Sequence, residues 1–232
     1  MTTLLSLQGV SKAYGHSPVL VNLNLDLSTG KIIGLLGPNG SGKTTIMKLI
    51  MGLLKTDQGR VLINGLEPSV ETKTMVSYLP DQTYLKDYMK VVDIIHLFAD
   101  FYTDFDRERA ESLLKDLAID KKQYLKNLSK GDKEKVQLLL VMSRQAKLYL
   151  LDEPIAAVDS ITRTYILKTI ISNYSEDASV LISTHLIADV EPILDDVVFL
   201  DKGQVCLQGA VDDLRQTYGM SMDKLFRETF KS

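Results

Sequence analysis

Cysteine is nearly absent from this chain: Cys206 stands alone in 232 residues, beside three histidines and no tryptophan. One thiol rules out an intrachain disulfide framework and points to a reducing compartment; without a Cys/His cluster, zinc is not expected. Basic excess is missing too, since 27 Lys and Arg face 30 Asp and Glu for a formal charge of −3. No Lys/Arg cluster is interleaved with aromatics, so nucleic acid is not expected as a partner. No stretch approaches the roughly 18 uninterrupted apolar residues of a membrane span. The N-terminus has no basic residue before Lys12 and no apolar core of a secretory signal. Any work at a membrane is therefore expected to go through another polypeptide. Nor is there an internal repeat or a low-complexity linker, and 45% hydrophobic with 25% charged residues is ordinary for a globular domain.

What is present centres on Gly37-Pro38-Asn39-Gly40-Ser41-Gly42-Lys43-Thr44, followed by Thr45. The pattern G-x-x-x-x-G-K-[ST] follows the apolar run 32–36 and precedes a helix-compatible run, the strand, loop and helix of a phosphate-binding P-loop. Glycines let the backbone curl so that successive N–H groups point at one anion, and the helix behind adds unpaired amides and about half a unit of positive charge. Lys43 is expected to reach the β and γ phosphates and the Thr44 hydroxyl to take a Mg²⁺ position. A Gly-rich surface turn would not need all three parts.

Strand signals run along the chain at 4–10, 19–27, 32–36, 59–63, 75–79, 147–151, 179–183, 197–200 and 204–207. The second alternates strictly from Val19 to Leu27, which predicts an antiparallel or edge strand with one covered face; 32–36, apolar throughout, predicts a strand covered on both. Tyr14 is expected in a loop between the first two strands. From about 85 to 144 helical periodicity takes over, as in Ala110, Leu113, Leu114 and Leu117. Strands separated by helices such as 161–173 predict a parallel-sheet α/β core. The division expected is one domain, with 1–84 and 145–210 forming the nucleotide-binding core, 85–144 an inserted helical lobe, and 211–232 a tail of two short polar helices.

Two carboxylates end the apolar strand at Leu151-Asp152-Glu153-Pro154. Ligands of α/β sheets bind at the carboxyl ends of strands, which would set both acids against the phosphates. Asp152 is then placed to hold Mg²⁺, directly or through water, and Glu153 to orient or deprotonate an attacking water. A strand end with solvated acids is the bland alternative.

The series continues with Gln82 after a strand, Leu128-Ser129-Lys130-Gly131-Asp132, Ala157-Val158-Asp159 and Ser183-Thr184-His185. In this order it resembles the ATP-binding cassette (ABC) family over nearly the whole chain. The family's signature Leu-Ser-Gly-Gly-Gln is altered here: Lys130 replaces the first glycine and Asp132 the glutamine, while Ser129 and Gly131 stand. Ser129 opens a helical run, where its hydroxyl and free N–H groups make either a plain N-cap or a second anion site. The resemblance implies the latter, with Ser129 and Gly131 closing on the γ-phosphate of ATP held by an opposite subunit. It also implies that Gln82 touches Mg²⁺ and the attacking water, that His185 contacts the γ-phosphate and holds Glu153, and that Tyr14 stacks on adenine. Asp159 would lie at the dimer seam or cap the helix near Ile161.

These features together imply a cytoplasmic ATPase subunit of an ABC transporter, peripheral at the inner face of the cell membrane. Two cassettes, identical or different, would close around two ATP·Mg²⁺ and dock on a separate transmembrane permease subunit through the surface around Gln82 and 84–105. The unusual signature and short tail are similar to cassettes of exporters with separate membrane subunits. One rival is a catalytically weak cassette that gates a partner; another is a soluble P-loop kinase or GTPase, although no Asn-Lys-x-Asp base-reading motif is present. His16 and His96 have no partner pattern.

Overall fold

In a computed structural model that describes residues 3–230 apart from 157 and 176, the chain opens with a hairpin of β1 (Thr3–Tyr14) and β2 (Ser17–Ser28). β3 (Ile32–Leu36) leads through the P-loop into α1 (Lys43–Ile50), and β4 (Gln58–Ile63) returns to the hairpin. These outer strands form an antiparallel sheet in the order β2-β1-β4. Its alternation is met by burial: Leu20, Leu23, Leu25 and Leu27 of β2 are covered, with exposed Asn22, Asn24 and Asp26 between them. Tyr14 differs from expectation, ending β1 itself, because the connection shrinks to the two-residue turn Gly15–His16.

A short α2 (Val70–Met75) precedes β5 (Val76–Leu79). Helices α3 (Val91–Phe101), α4 (Arg107–Asp116) and α5 (Lys130–Met142) follow. Then β6 (Leu148–Asp152), α6 (Ser160–Asn173), β7 (Ser179–Thr184), one-turn α7 (Ile187–Val190) and β8 (Asp196–Asp201) alternate. β9 (Gln204–Ala210), α8 (Val211–Tyr218) and α9 (Met222–Thr229) end the described chain. The second sheet has the order β5-β6-β7-β3-β8-β9, parallel up to β8 and antiparallel at β9, which pairs across the Lys202–Gly203 turn. No described helix is long and apolar enough to cross a membrane.

Because successive side chains on a strand point to opposite faces, β3 serves two cores at once. Ile33 and Leu35 join α1 and the antiparallel sheet, whereas Ile32 and Leu36 join α6, α7 and the C-terminal helices. A third cluster unites α3, α4 and α5 through Ile94, Phe98, Leu113 and Leu139. α5 belongs to two of these: Val136, Leu139 and Leu140 face the helical lobe, while Leu138, Val141 and Met142 face the sheet. Burial on all sides explains why its apolar residues show no single stripe. The tail is less polar in fold than in sequence, since Met222 and Leu225 are buried and Phe226 and Phe230 pack on Phe199 at ring distances of 5.5 and 6.0 Å.

Candidate functional site

The parallel strands β5, β6, β7 and β3 are neighbours, so their carboxyl ends share one edge. Gln82, Glu153, His185 and the P-loop each follow one of those ends. At β3 the backbone turns within eight residues into α1. Gly42 takes φ 110°, open only to glycine, and a Cβ there would lie 2.7 Å from Leu20 Cδ2; at Gly37 a Cβ would meet the Leu200 carbonyl at 2.4 Å. Gly42 is the N-cap and offers no side-chain acceptor, so the first-turn amides of α1 remain for a ligand. Buried Lys43 folds back over the loop, donating to the carbonyls of Gly37 at 2.7 Å and Pro38 at 3.2 Å. Burial lowers its pKa, and Glu153 and Asp152 oppose that by favouring the charged ammonium.

Asp152, the last residue of β6, is almost wholly buried. Its Oδ1 accepts the hydroxyl of Ser183, the residue paired with it on β7, and the nearby Thr44 hydroxyl favours the ionised carboxylate. Burial raises its pKa in spite of those donors. Oδ2 has no partner. An orphaned buried carboxylate oxygen beside a threonine hydroxyl is a donor pair suited to a hard cation such as Mg²⁺, which takes one or two protein oxygens and completes its shell with phosphate and water. No described group of three His, Cys, Asp or Glu forms a metal cluster of its own.

Glu153 lies in the left-handed region at φ 51°. For a residue with a Cβ this costs on the order of 1–3 kcal/mol, and the N–H holds the turn by reaching Ser183 O at 3.0 Å and Ser183 Oγ at 3.1 Å. Strain here aims a side chain. The Glu153 carboxylate comes to 3.8 Å from Lys43 Nζ and to 3.1 and 3.2 Å from His185 Nδ1. An ionised carboxylate only accepts, so this contact requires the Nδ1–H form of His185.

Tyr14, half exposed, lines a cleft of about 340 Å³ with Gly42, Lys43, Thr44, Asp81 and Glu153. Asn39, Gly40 and Thr45 line it too. Gln82 is exposed and lines an adjoining cavity of about 420 Å³ with Asp152, Glu153, Lys130 and Gln137. Glu153 thus borders both spaces, as does Asp81, which its sequence does not single out, while Asp152 borders only the second.

Ser129, Gly131 and Asp159 form a separate group. Ser129 caps α5, accepting the Asp132 N–H at 3.1 Å and donating its hydroxyl to Asp132 Oδ2 at 2.7 Å, and Lys135 bonds the same carboxylate at 3.1 Å. Asp159 caps α6 through the N–H groups of Ile161 and Thr162, both at 3.0 Å. Those donors and the Thr162 hydroxyl hold its pKa below the usual carboxylate value. A Cβ on Gly131 would sit 3.6 Å from Thr162 Oγ1 and 4.0 Å from Asp159 Oδ2, so the two helix starts adjoin. None of the three lines the cleft with Tyr14. In the motif ending at Asp159, Ala157 lies outside the described residues. Ser183 is the functional neighbour that motif reading left without a role; its signal was a strand-end hydroxyl two residues before His185.

A P-loop with a carboxylate strand end on a parallel sheet defines a nucleoside triphosphatase. The ABC transporter family matches residues 20–156. The ATP-binding protein EcsA of Bacillus subtilis is 30% identical over 99% of this chain and 97% of its own length. SkfE of the same species, the ATP-binding protein of SkfA peptide export, is 31% identical over 87% of each chain. A solved ATP-binding subunit of an ABC transporter superposes with a TM-score of 0.88, at 29% identity and over 99% of this chain and 100% of that one. The chain belongs to the ABC transporter family as an ATP-binding subunit, and that family hydrolyses ATP to drive transport.

Proposed function

We propose that this subunit binds ATP·Mg²⁺, closes head to tail on a second cassette and powers export through a separate membrane permease. The observation that carries this function is the meeting of Lys43 and His185 on the Glu153 carboxylate, at 3.8 and 3.1 Å, beside the phosphate loop. Bound Mg²⁺ would neutralise charge on the β and γ phosphates, held from this chain by Thr44 and Asp152. The first-turn amides of α1, 43–45, with those of Gly40 and Gly42 and the Lys43 ammonium, cradle the phosphates; Ser41, Thr45 and the loop residues Gly37, Pro38 and Asn39 shape that cradle. Glu153 accepts a proton from the attacking water, and His185 Nδ1–H keeps the carboxylate aimed. Gln82 borders the same acids from the neighbouring cavity, where its amide would help to hold Mg²⁺ and the attacking water. Such stabilisation acts because the groups are already placed when charge develops.

The separate surface of Ser129, Gly131 and Asp159 supports the dimer, because it presents a capped helix start away from its own phosphate cleft. There Asp132 binds the Ser129 hydroxyl, so closure on a phosphate requires Ser129 to release it. For permease docking, the groove of about 460 Å³ lined by Gln82, Tyr84, Phe98, Tyr102 and Arg144 is the surface we assign. We assign it to the junction of a core of 1–84 and 145–210 with a helical subdomain of 85–144. Docked in this way the subunit would sit at the inner face of the membrane, and SkfE's export role supports the outward direction.

Two measurements test the reading. Gentle detergent extraction should co-purify a multispanning polypeptide that raises ATP hydrolysis; isolation of the chain alone, with ATPase indifferent to membranes, argues against it. For Tyr14→Ala, loss of base stacking should weaken ATP binding by about 1–3 kcal/mol, or roughly 5- to 150-fold, while triphosphate stays preferred over monophosphate. Unchanged affinity removes Tyr14 from the adenine site.

A further inference from the structure

His185 stands one residue beyond β7, on a connection that crosses β3 to reach β8. Its only regular structure before Glu191 is the four-residue α7. One helical turn has almost no stability by itself, so its place is set by what it packs against. Leu186 N–H bonds Thr184 Oγ1 at 3.0 Å, Ile187 and Val190 are buried, and Asp189 meets Arg163 of α6 at 2.6 Å. The remaining anchor comes from the end of the chain.

Glu191 directly follows α7 and is 8% exposed. Its Oε1 accepts three donors: Arg215 Nε at 3.0 Å, Arg215 Nη2 at 2.8 Å and the Met222 N–H at 3.0 Å. Oε2 takes the Asp223 N–H at 3.4 Å. One carboxylate therefore pairs with the cation of α8 and satisfies the first amides of α9, next to the Ser221 cap on Lys224 N–H at 3.3 Å. Burial alone would raise its pKa, but the Met222 N–H and the Arg215 guanidinium leave it lowered, so the group stays ionised. Beneath it, Met222 and Leu225 share the core with Ile187 and Val190.

We propose that Glu191 is a positioning residue for ATP hydrolysis: by docking α8 and α9 onto 186–193, it fixes where His185 presents Nδ1 to Glu153. The inference rests on the ATPase role of Glu153 and His185 given above. It makes the C-terminal helix pair part of the γ-phosphate end of the site, although no residue of that pair lines the cleft.

The test uses the full chain, with labelled histidine and MgATP. Only three histidines occur, so each imidazole resonance can be followed. In Glu191→Ala, kcat should fall about 10- to 100-fold, the range a small misplacement produces, with KM for ATP within about twofold of the parent. The His185 resonance should move and broaden while His16 and His96 hold. Glu191→Gln keeps an oxygen for Met222 and Arg215 and should regain most of the rate and the parental His185 signal. If Glu191→Ala does not fold, Ser221→Ala, which loosens only the start of α9, should move the same two readouts less. An unmoved His185 with kcat within about twofold overturns the proposal, as does a shift of all three histidines with KM and kcat changing together. Should the parent itself not hydrolyse ATP, the catalytic reading fails, and the His185 resonance still decides whether Glu191 positions that side chain.

Discussion

Glu153→Gln is expected to keep ATP bound and nearly stop its hydrolysis. Glutamine has the same shape and still offers His185 Nδ1–H an oxygen, so the contact seen at 3.1 Å can persist. What it lacks is an oxygen able to take a proton from water, a contribution of about 10²–10⁴-fold. The backbone demand does not change, since glutamine must adopt the same φ of 51° and is held by the same two bonds from its N–H to Ser183. Phosphate release should therefore fall by roughly that factor while ATP affinity stays near the parent's. The bound state should also accumulate as a dimer on a light-scattering column run with MgATP. Hydrolysis at the parent rate would falsify the assignment of Glu153 as base.

Lys43→Ala should instead remove ATP binding. The ammonium is buried and already oriented by the Gly37 and Pro38 carbonyls, so little freedom is lost when phosphate arrives. Without it, Asp152 and Glu153 repel an incoming triphosphate with no cation of the loop between them. Truncating a buried charged partner typically costs about 2–5 kcal/mol, which corresponds to roughly 30- to 5,000-fold in Kd. Titration with a fluorescent ATP analogue reads this directly. Lys43→Arg should recover little, because a planar guanidinium does not fit a channel shaped to a single ammonium at 2.7 Å from a carbonyl. Affinity within a few-fold of the parent for Lys43→Ala would show that the backbone amides alone hold the nucleotide.

Much of the chemistry was legible in order along the chain. Glycine at positions 37 and 42 was readable because only backbone without a Cβ can make that turn, and the paired acids at 152 and 153 because an apolar strand ending in carboxylates has few uses. The strand content was legible for the same reason: alternation in 19–27 and unbroken apolarity in 32–36 report directly how many faces are covered. The end of β1 is less legible, since the strand runs on past Val10 to Tyr14 and the two-residue turn Gly15–His16 leaves little trace in the sequence. The tail looks polar in sequence because Phe226 and Phe230 show their purpose only once Phe199 lies under them.

The sequence by itself determined the nucleotide loop, the two acids, the strand and helix repertoire and the family, because local backbone geometry and residue periodicity are written in neighbouring positions. Tertiary structure decided which of these meet. The strand order β5-β6-β7-β3 puts Gln82, Glu153, His185 and the P-loop on one edge although they lie far apart in the chain. It made Ser183 the shared partner of the acid pair by setting it opposite Asp152, and left Ser129, Gly131 and Asp159 out of the cleft with Tyr14. It also brought Arg215 and the start of α9 onto Glu191. Register and crossover are long-range properties settled by which faces bury together, and no run of adjacent residues encodes them alone.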